Sequence, residues 1–334
     1  MSRRPVLIVA VIAALVSADA ATAIAQSPPE QPRFEELARQ FEYDRKVAAA
    51  DVREVGRERR EGGVTVIDLT YASPLGGRVP AYLVVPAGRG KFPAVLFGHW
   101  MMPGSPLMNR REFLEEAVVL ARAGAVSLLI DAPYLRPGFV RETDELKQAT
   151  QGSIVSRQQV IDFRRGIDML LARGDVDPRR IAYVGHSFDA HVGGILVGVE
   201  RRIGSFVLMA GGLADEEYVF DPENAEMLKI RQRVGDERIR EYFREYAWDD
   251  PVHFITRNAP AAVFLQYGRQ DKPIPEKMAR RAYGRLAEPK KIAFYDAGHA
   301  LDAAARRERV EWLAQRLGLK SVDWAALARI PQLN

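Results

Sequence analysis

Ser187 stands where an apolar run over 181–184 meets a run of small and apolar residues that begins at Ala190, and Gly185 lies two residues before it. A strand that turns sharply into a helix at such a serine pushes the hydroxyl out of the chain. The turn also leaves the N–H of the next residue, Phe188, at a helix N-terminus, where it can donate to a developing oxyanion. A serine hydroxyl is a weak nucleophile unless a base takes its proton. Asp271 and His299 follow in chain order, each just past an apolar run: 262–267 precedes the turn-rich 268–275, and 291–295 precedes Asp296-Ala297-Gly298-His299. In a doubly wound sheet, catalytic side chains gather where strands end. The pattern predicts Ser187 as nucleophile, His299 as general base and Asp271 as the acid that orients the imidazole, with chemistry running through an acyl-enzyme. Asp215 and Asp296 compete with Asp271 for the acid's place, and Asp271 is favoured.

The position two residues past the serine, where a glycine commonly lets strand and helix pass closely, is Asp189. Its carboxylate is expected to point outward, near the positive end of the helix and away from the oxyanion. There are five histidines, His99, His186, His191, His253 and His299. None stands in an H-x-x-x-H or H-E-x-x-H spacing, so no metal and no cofactor is expected. His186 is expected to turn away from the serine, and His191 and His253 to pack locally.

These marks together resemble the alpha/beta hydrolases, in particular the dienelactone-hydrolase-like branch of serine esterases. The resemblance spans about residues 60–318 and rests on the turn at 185–189, the Gly-x-x-Asp loop at 268–271 and Gly298-His299. Dienelactone hydrolases themselves use a cysteine, and this chain has none, so the likeness extends to fold and triad layout and not to that substrate. The resemblance implies a second oxyanion donor in the loop after the strand at 93–97, which reads Gly98-His99-Trp100-Met101-Met102-Pro103-Gly104. Met101 is the donor if His99 aligns with the family's histidine, and Trp100 is the donor if Gly98 does. Trp100 and Tyr134, with aromatics of an insertion, are expected to line the substrate pocket.

Strands alternating with helices are expected to position these residues. Strands are predicted at 64–71 and 78–86, an antiparallel edge, and at 93–97, 126–130, 181–184, 206–209, 262–267 and 291–295. Helices are predicted at 109–123, 154–171 and 303–317, with an outer helix in 34–50. Residues 213–250, charged and aromatic with no strand pattern, read as a helical insertion over the site. The fold class is therefore α/β: a mostly parallel doubly wound sheet with an antiparallel N-terminal edge and a helical insertion. The domain reading is a signal peptide at 1–25, an extension with a helix at 26–60, the main domain at 61–320 and a tail at 321–334.

At 334 residues and 47% apolar content the chain can bury one large core. Its net charge of +4 is interspersed, which speaks against nucleic-acid binding. Arg3-Arg4, an apolar run over 6–16 and Ala23-Ile24-Ala25 make a secretory signal with cleavage before Gln26. The mature protein is expected to be secreted or periplasmic, without a stable membrane anchor, and to act on a small-molecule ester. A peptidase, an amidase or a lactonase with the same triad, or a silent fold used for binding, are the alternatives.

Overall fold

The computed structural model describes residues 34–45 and 51–332. The signal peptide expected at 1–25 lies outside them. One nine-stranded sheet runs through the molecule in the order β1-β2-β3-β5-β4-β6-β7-β8-β9. The strands are β1 (Arg53–Arg59), β2 (Thr65–Ala72), β3 (Arg78–Val85), β4 (Phe92–Gly98), β5 (Val126–Ile130), β6 (Val176–His186), β7 (Ser205–Met209), β8 (Ala262–Gly268) and β9 (Lys290–Tyr295). The pairings β1–β2, β2–β3 and β3–β5 are antiparallel, and those from β5 through β4 to β9 are parallel. Strand order reverses around β4, β5 and β6, the kind of switch point that opens a crevice at strand C-termini. The expected parallel sheet with an antiparallel edge is the architecture observed.

The central strands are buried on both faces, as parallel sheets covered by helices must be. Successive side chains alternate between two cores. Leu96, Leu128, Tyr183 and Phe206 join one, beneath the helices Glu145–Ala172 and Phe188–Val199. Phe97, Leu129, Val184 and Val207 join the other, beneath Leu114–Arg122 and Ala303–Leu317. A buried bidentate pair, Arg309 to Glu116 at 2.6–3.1 Å, ties these last two helices together.

Differences from the sequence reading have local causes. β1 reads Arg-Glu-Val-Gly-Arg-Glu-Arg and shows no alternation, because it is an exposed edge whose charges discourage further pairing. It brings part of the 26–60 extension into the sheet. The helix expected from 109 begins at Leu114. Asn109 accepts the Arg111 N–H on its side chain, and Asp131 takes the Arg110 N–H at 2.8 Å, so 109–113 turns instead. The helix expected from 154 begins at Glu145, where Asp144 caps it by accepting the Lys147 N–H at 3.0 Å. Its first two turns are polar and carry no apolar stripe to read.

Of the outer helix expected in 34–50, Phe34–Arg39 is helical, and 46–50 lie outside the described residues. Helix Phe34–Arg39 leads to Phe41, which is fully buried edge-on against Phe254 and Trp248. Residues 213–250 carry four helical segments joined by turns: Asp215–Val219, Ala225–Val234, Asp236–Glu245 and Ala247–Asp249. The 321–334 tail contributes helix Trp324–Ala328, whose Leu327 completes the second core.

Candidate functional site

Ser187 sits between β6 and helix Phe188–Val199 at φ 54°, ψ −106°, a conformation that non-glycine residues avoid. The strain is held from both sides. The Ser187 N–H extends the sheet ladder to Met209 O at 2.8 Å, and its carbonyl accepts the N–H groups of Ala190 and His191. The hydroxyl therefore projects at the sheet's C-terminal edge, and the first N–H of the helix, that of Phe188, stands beside it with no intrahelical partner.

His299 comes to this hydroxyl from the loop after β9. Its Nε2 lies 2.8 Å from Ser187 Oγ, and its Nδ1 lies 3.0 and 3.1 Å from the two carboxylate oxygens of Asp271. The Asp271 side chain is fully buried and that of His299 is 10% exposed, so one ring edge faces Ser187 and the other an acid shielded from water. Asp271 is fixed in turn by the Ile274 N–H, which donates to Oδ1 at 3.1 Å. The loops bearing the acid and the histidine are laced together: Arg269 and Gln270 donate their N–H groups to Tyr295 O and Ala297 O. Gly268 makes that approach possible. A Cβ there would lie 2.2 Å from Ala297 O and 2.4 Å from Gly298 O. The competing acids are elsewhere. Asp296 is exposed and accepts from Gln270, and Asp215 lies against His191.

The loop after β4 separates its two candidate donors. The Trp100 N–H donates to Glu112 Oε2 at 2.7 Å and is not free. Among the described residues no acceptor takes the Met101 N–H. The Trp100 side chain is 1% exposed and stacks on His186, with ring centroids 5.0 Å apart, so it is core and does not line a pocket. Trp100 was expected to open onto substrate because an aromatic beside a cleft reads the same whether it faces in or out. Tyr134 is half-buried, edge-on to Phe188 with centroids 5.4 Å apart, and donates its hydroxyl to Trp100 O at 3.2 Å. His99 braces the same loop. Its Nδ1–H donates to Trp100 O, its Nε2 accepts the Ala132 N–H, and burial lowers its pKa, which suits this neutral tautomer.

Asp189 does not point outward. It is fully buried beneath the end of β4, where a Cβ on Gly98 would lie 2.4 Å from its own Cβ. The glycine that usually eases this crossing has moved from the helix to the strand. Gln159 Nε2 donates to both carboxyl oxygens at 3.1 and 3.2 Å. Burial nevertheless pushes the Asp189 carboxyl well above the usual range and favours its neutral form. Asp189 is accommodated by burial against Gln159 and Gly98, not by facing solvent.

Two arrangements escaped the sequence reading. His186 Nδ1 lies 2.6 Å from Glu112 Oε1, and its Nε2–H donates to the carbonyl of His299 at 2.9 Å. His191, one helical turn past Ser187, lies 3.2 Å from Asp215 and 3.3 Å from Asp249, at the two ends of the insertion. Burial works against its charged form, but the Asp215 and Asp249 carboxylates outweigh it and hold the His191 pKa well above the ordinary range. Asp250 joins the same ends by accepting the N–H groups of Asp215, Glu216 and Val252 at 3.0–3.1 Å. Such contacts link residues tens of positions apart, and no local pattern signals them. Among the described residues no group of three or more His, Asp or Glu side chains is arranged to hold a metal ion.

No protein-family model and no curated protein matches the sequence. Solved structures do match. The chain superposes on an acetyl xylan esterase from Paenibacillus sp. R4 with a TM-score of 0.65 at 20% identity, over 85% of this chain and 92% of that one. Acetyl xylan esterase 1 from Thermoanaerobacterium sp. JW/SL YS485 gives 0.64 at 18% identity, over 84% and 93%. A Klebsiella pneumoniae subsp. pneumoniae MGH 78578 protein described as a dienelactone hydrolase gives 0.53 at 18%, over 76% and 98%. At these identities the likeness establishes the fold, that of the alpha/beta hydrolases.

Proposed function

We propose that the protein is a serine hydrolase that cleaves carboxylic esters. The observation that carries the reading is the unbroken hydrogen-bonded line from Ser187 Oγ through the His299 ring to a buried Asp271. His299 Nε2 accepts the serine proton as Oγ attacks the ester carbonyl. The Nδ1–H stays on the ring, hydrogen-bonded to the Asp271 carboxylate, which stabilises the imidazolium. The developing oxyanion takes the N–H groups of Phe188 and Met101. The imidazolium then protonates the departing alkoxide and leaves an acyl-serine. Water, deprotonated by the same imidazole, releases the acid and restores the enzyme. We assign substrate contact to Tyr134, which packs edge-on against Phe188, the residue after the serine. The fold shared with two acetyl xylan esterases supports an ester as substrate.

The test is a panel of aryl esters of increasing acyl length, with the matching anilide, on the protein and its Ser187→Ala variant. Esters should turn over and anilides far more slowly, and Ser187→Ala should lower kcat by about 10⁴-fold or more while remaining folded. Anilide turnover matching that of the ester would overturn the ester reading. A variant keeping a tenth of the activity would overturn the nucleophile. Export belongs to the same proposal: from a bacterial host the mature chain should begin at or near Gln26, outside the cytoplasm. A membrane-bound chain starting at Met1 would contradict it.

A further inference from the structure

We propose that Glu112, acting through Trp100 and His186, is a positioning residue for the reaction. This rests on the reading of Ser187 as nucleophile and Met101 as oxyanion donor. Glu112 lies just before helix Leu114–Arg122, and its side chain is only 1% exposed. Its two oxygens serve two catalytic segments. Oε2 accepts the Trp100 N–H at 2.7 Å and so orients the peptide whose next N–H belongs to Met101. Oε1 lies 2.6 Å from His186 Nδ1, and the opposite ring nitrogen donates to the backbone carbonyl of His299 at 2.9 Å. A single carboxylate thus ties together the oxyanion loop, the serine turn and the histidine loop.

The surroundings make this link stiff. The His186 side chain is fully buried between Trp100, stacked at 5.0 Å, and the His299 ring at 5.6 Å. His186 presents both nitrogens to oxygens. One proton therefore rides on Nε2 toward His299 O, and one lies between Nδ1 and Oε1. A carboxyl taken wholly out of water is costly unless every contact is made, and each contact of Glu112 ends on a segment that carries a reacting group. With the Trp100 N–H occupied by Glu112, the next N–H, on Met101, is the one left to face substrate.

The experiment compares Glu112→Ala, Glu112→Asp and Glu112→Gln in the full chain. The readouts are kcat and KM on an aryl acetate, affinity for an arylboronic acid that forms a tetrahedral serine adduct, and labelling by a fluorophosphonate. Glutamine keeps an oxygen for the Trp100 N–H and an N–H for His186 Nδ1, so Glu112→Gln should keep kcat within about threefold. Glu112→Ala should lower kcat and boronate affinity together by about 100-fold with KM little changed, as loss of an oxyanion donor does. Aspartate is too short to reach both partners, so Glu112→Asp should lose about tenfold, and it serves if the alanine variant does not fold. A folded Glu112→Ala or Glu112→Asp with unchanged kcat and boronate affinity would overturn the role. So would a Glu112→Gln as impaired as the alanine variant, or a loss confined to KM. Labelled wild-type protein with an unaffected variant would remove only the role of Glu112. Unlabelled wild-type protein would remove the proposed function and this role with it.

Discussion

Replacing Gly98 and Asp189 separately should hurt, and replacing them together should hurt less than the sum. A Cβ on Gly98 would lie 2.4 Å from Asp189 Cβ, 2.5 Å from Cγ and 2.7 Å from Oδ2. Comfortable carbon contacts lie at about 3.5–4.0 Å, so Gly98→Ala forces an overlap of about 1 Å. Overpacking of this kind costs about 1–3 kcal/mol. Asp189→Gly removes a fully buried side chain and strands its donor, Gln159 Nε2. The stranded donor costs about 1–3 kcal/mol, and a helical glycine adds up to about 1 kcal/mol. In the double variant the added methyl enters space that Asp189 has vacated, so the Gly98→Ala penalty disappears. The coupling should therefore equal that penalty, about 1–3 kcal/mol. Urea unfolding of the four proteins, extrapolated to water, measures it. Additivity within about 0.5 kcal/mol, or a Gly98→Ala variant as stable as the parent, would refute the idea that the glycine has changed sides.

Three other outcomes follow from the geometry. Gly268→Ala would drive a methyl into Ala297 O and Gly298 O and push the acid and histidine loops apart, so kcat on an aryl ester should fall by about tenfold or more; unchanged kcat would show that the loops yield without cost. The folded-state pKa of His191 is raised by Asp215 and Asp249, so its stabilisation is complete below the unfolded value near 6.5 and is lost as pH rises through the folded value. His191→Gln should therefore lower stability more at pH 6 than at pH 9 or above, and a deficit that grows with pH would contradict the clasp. Asp189 is likewise raised, by burial, so the parent loses stability as pH climbs above about 4, where only the unfolded chain ionises. Asp189→Asn lacks that slope and should gain on the parent from pH 4 to 7 in urea titrations; parallel curves would show that the buried acid is charged.

Most of the scaffold was legible because its elements are marked locally. β5 and helix Ala303–Leu317 fall on their expected bounds: the one is an apolar run between turns, and the other is capped by Asp302 and closed by Gly318 in the left-handed region. Ser187, Asp271 and His299 were legible for a related reason, since each follows a strand end and the fold brings strand ends together. What stayed hidden depends on partners distant in sequence. β1 carries no periodicity because it buries neither face. Asp189 reads as a helix-terminal charge until Gly98, on another strand, is seen to leave room for it. Trp100 reads as a pocket wall until His186 is found against its ring. Glu112 is one acid among many until the turn at 109–113 delays its helix and aims it at His186.

The central claim is that Ser187 is a nucleophile activated by His299. It is tested most directly by reacting the protein with a fluorophosphonate and locating the adduct by peptide mass spectrometry. The account predicts one phosphonyl group per chain, on Ser187, with labelling abolished in Ser187→Ala and slowed about 10³-fold or more in His299→Ala, since the two act as a unit. No adduct, an adduct on another residue, or labelling as fast in His299→Ala as in the parent would contradict it.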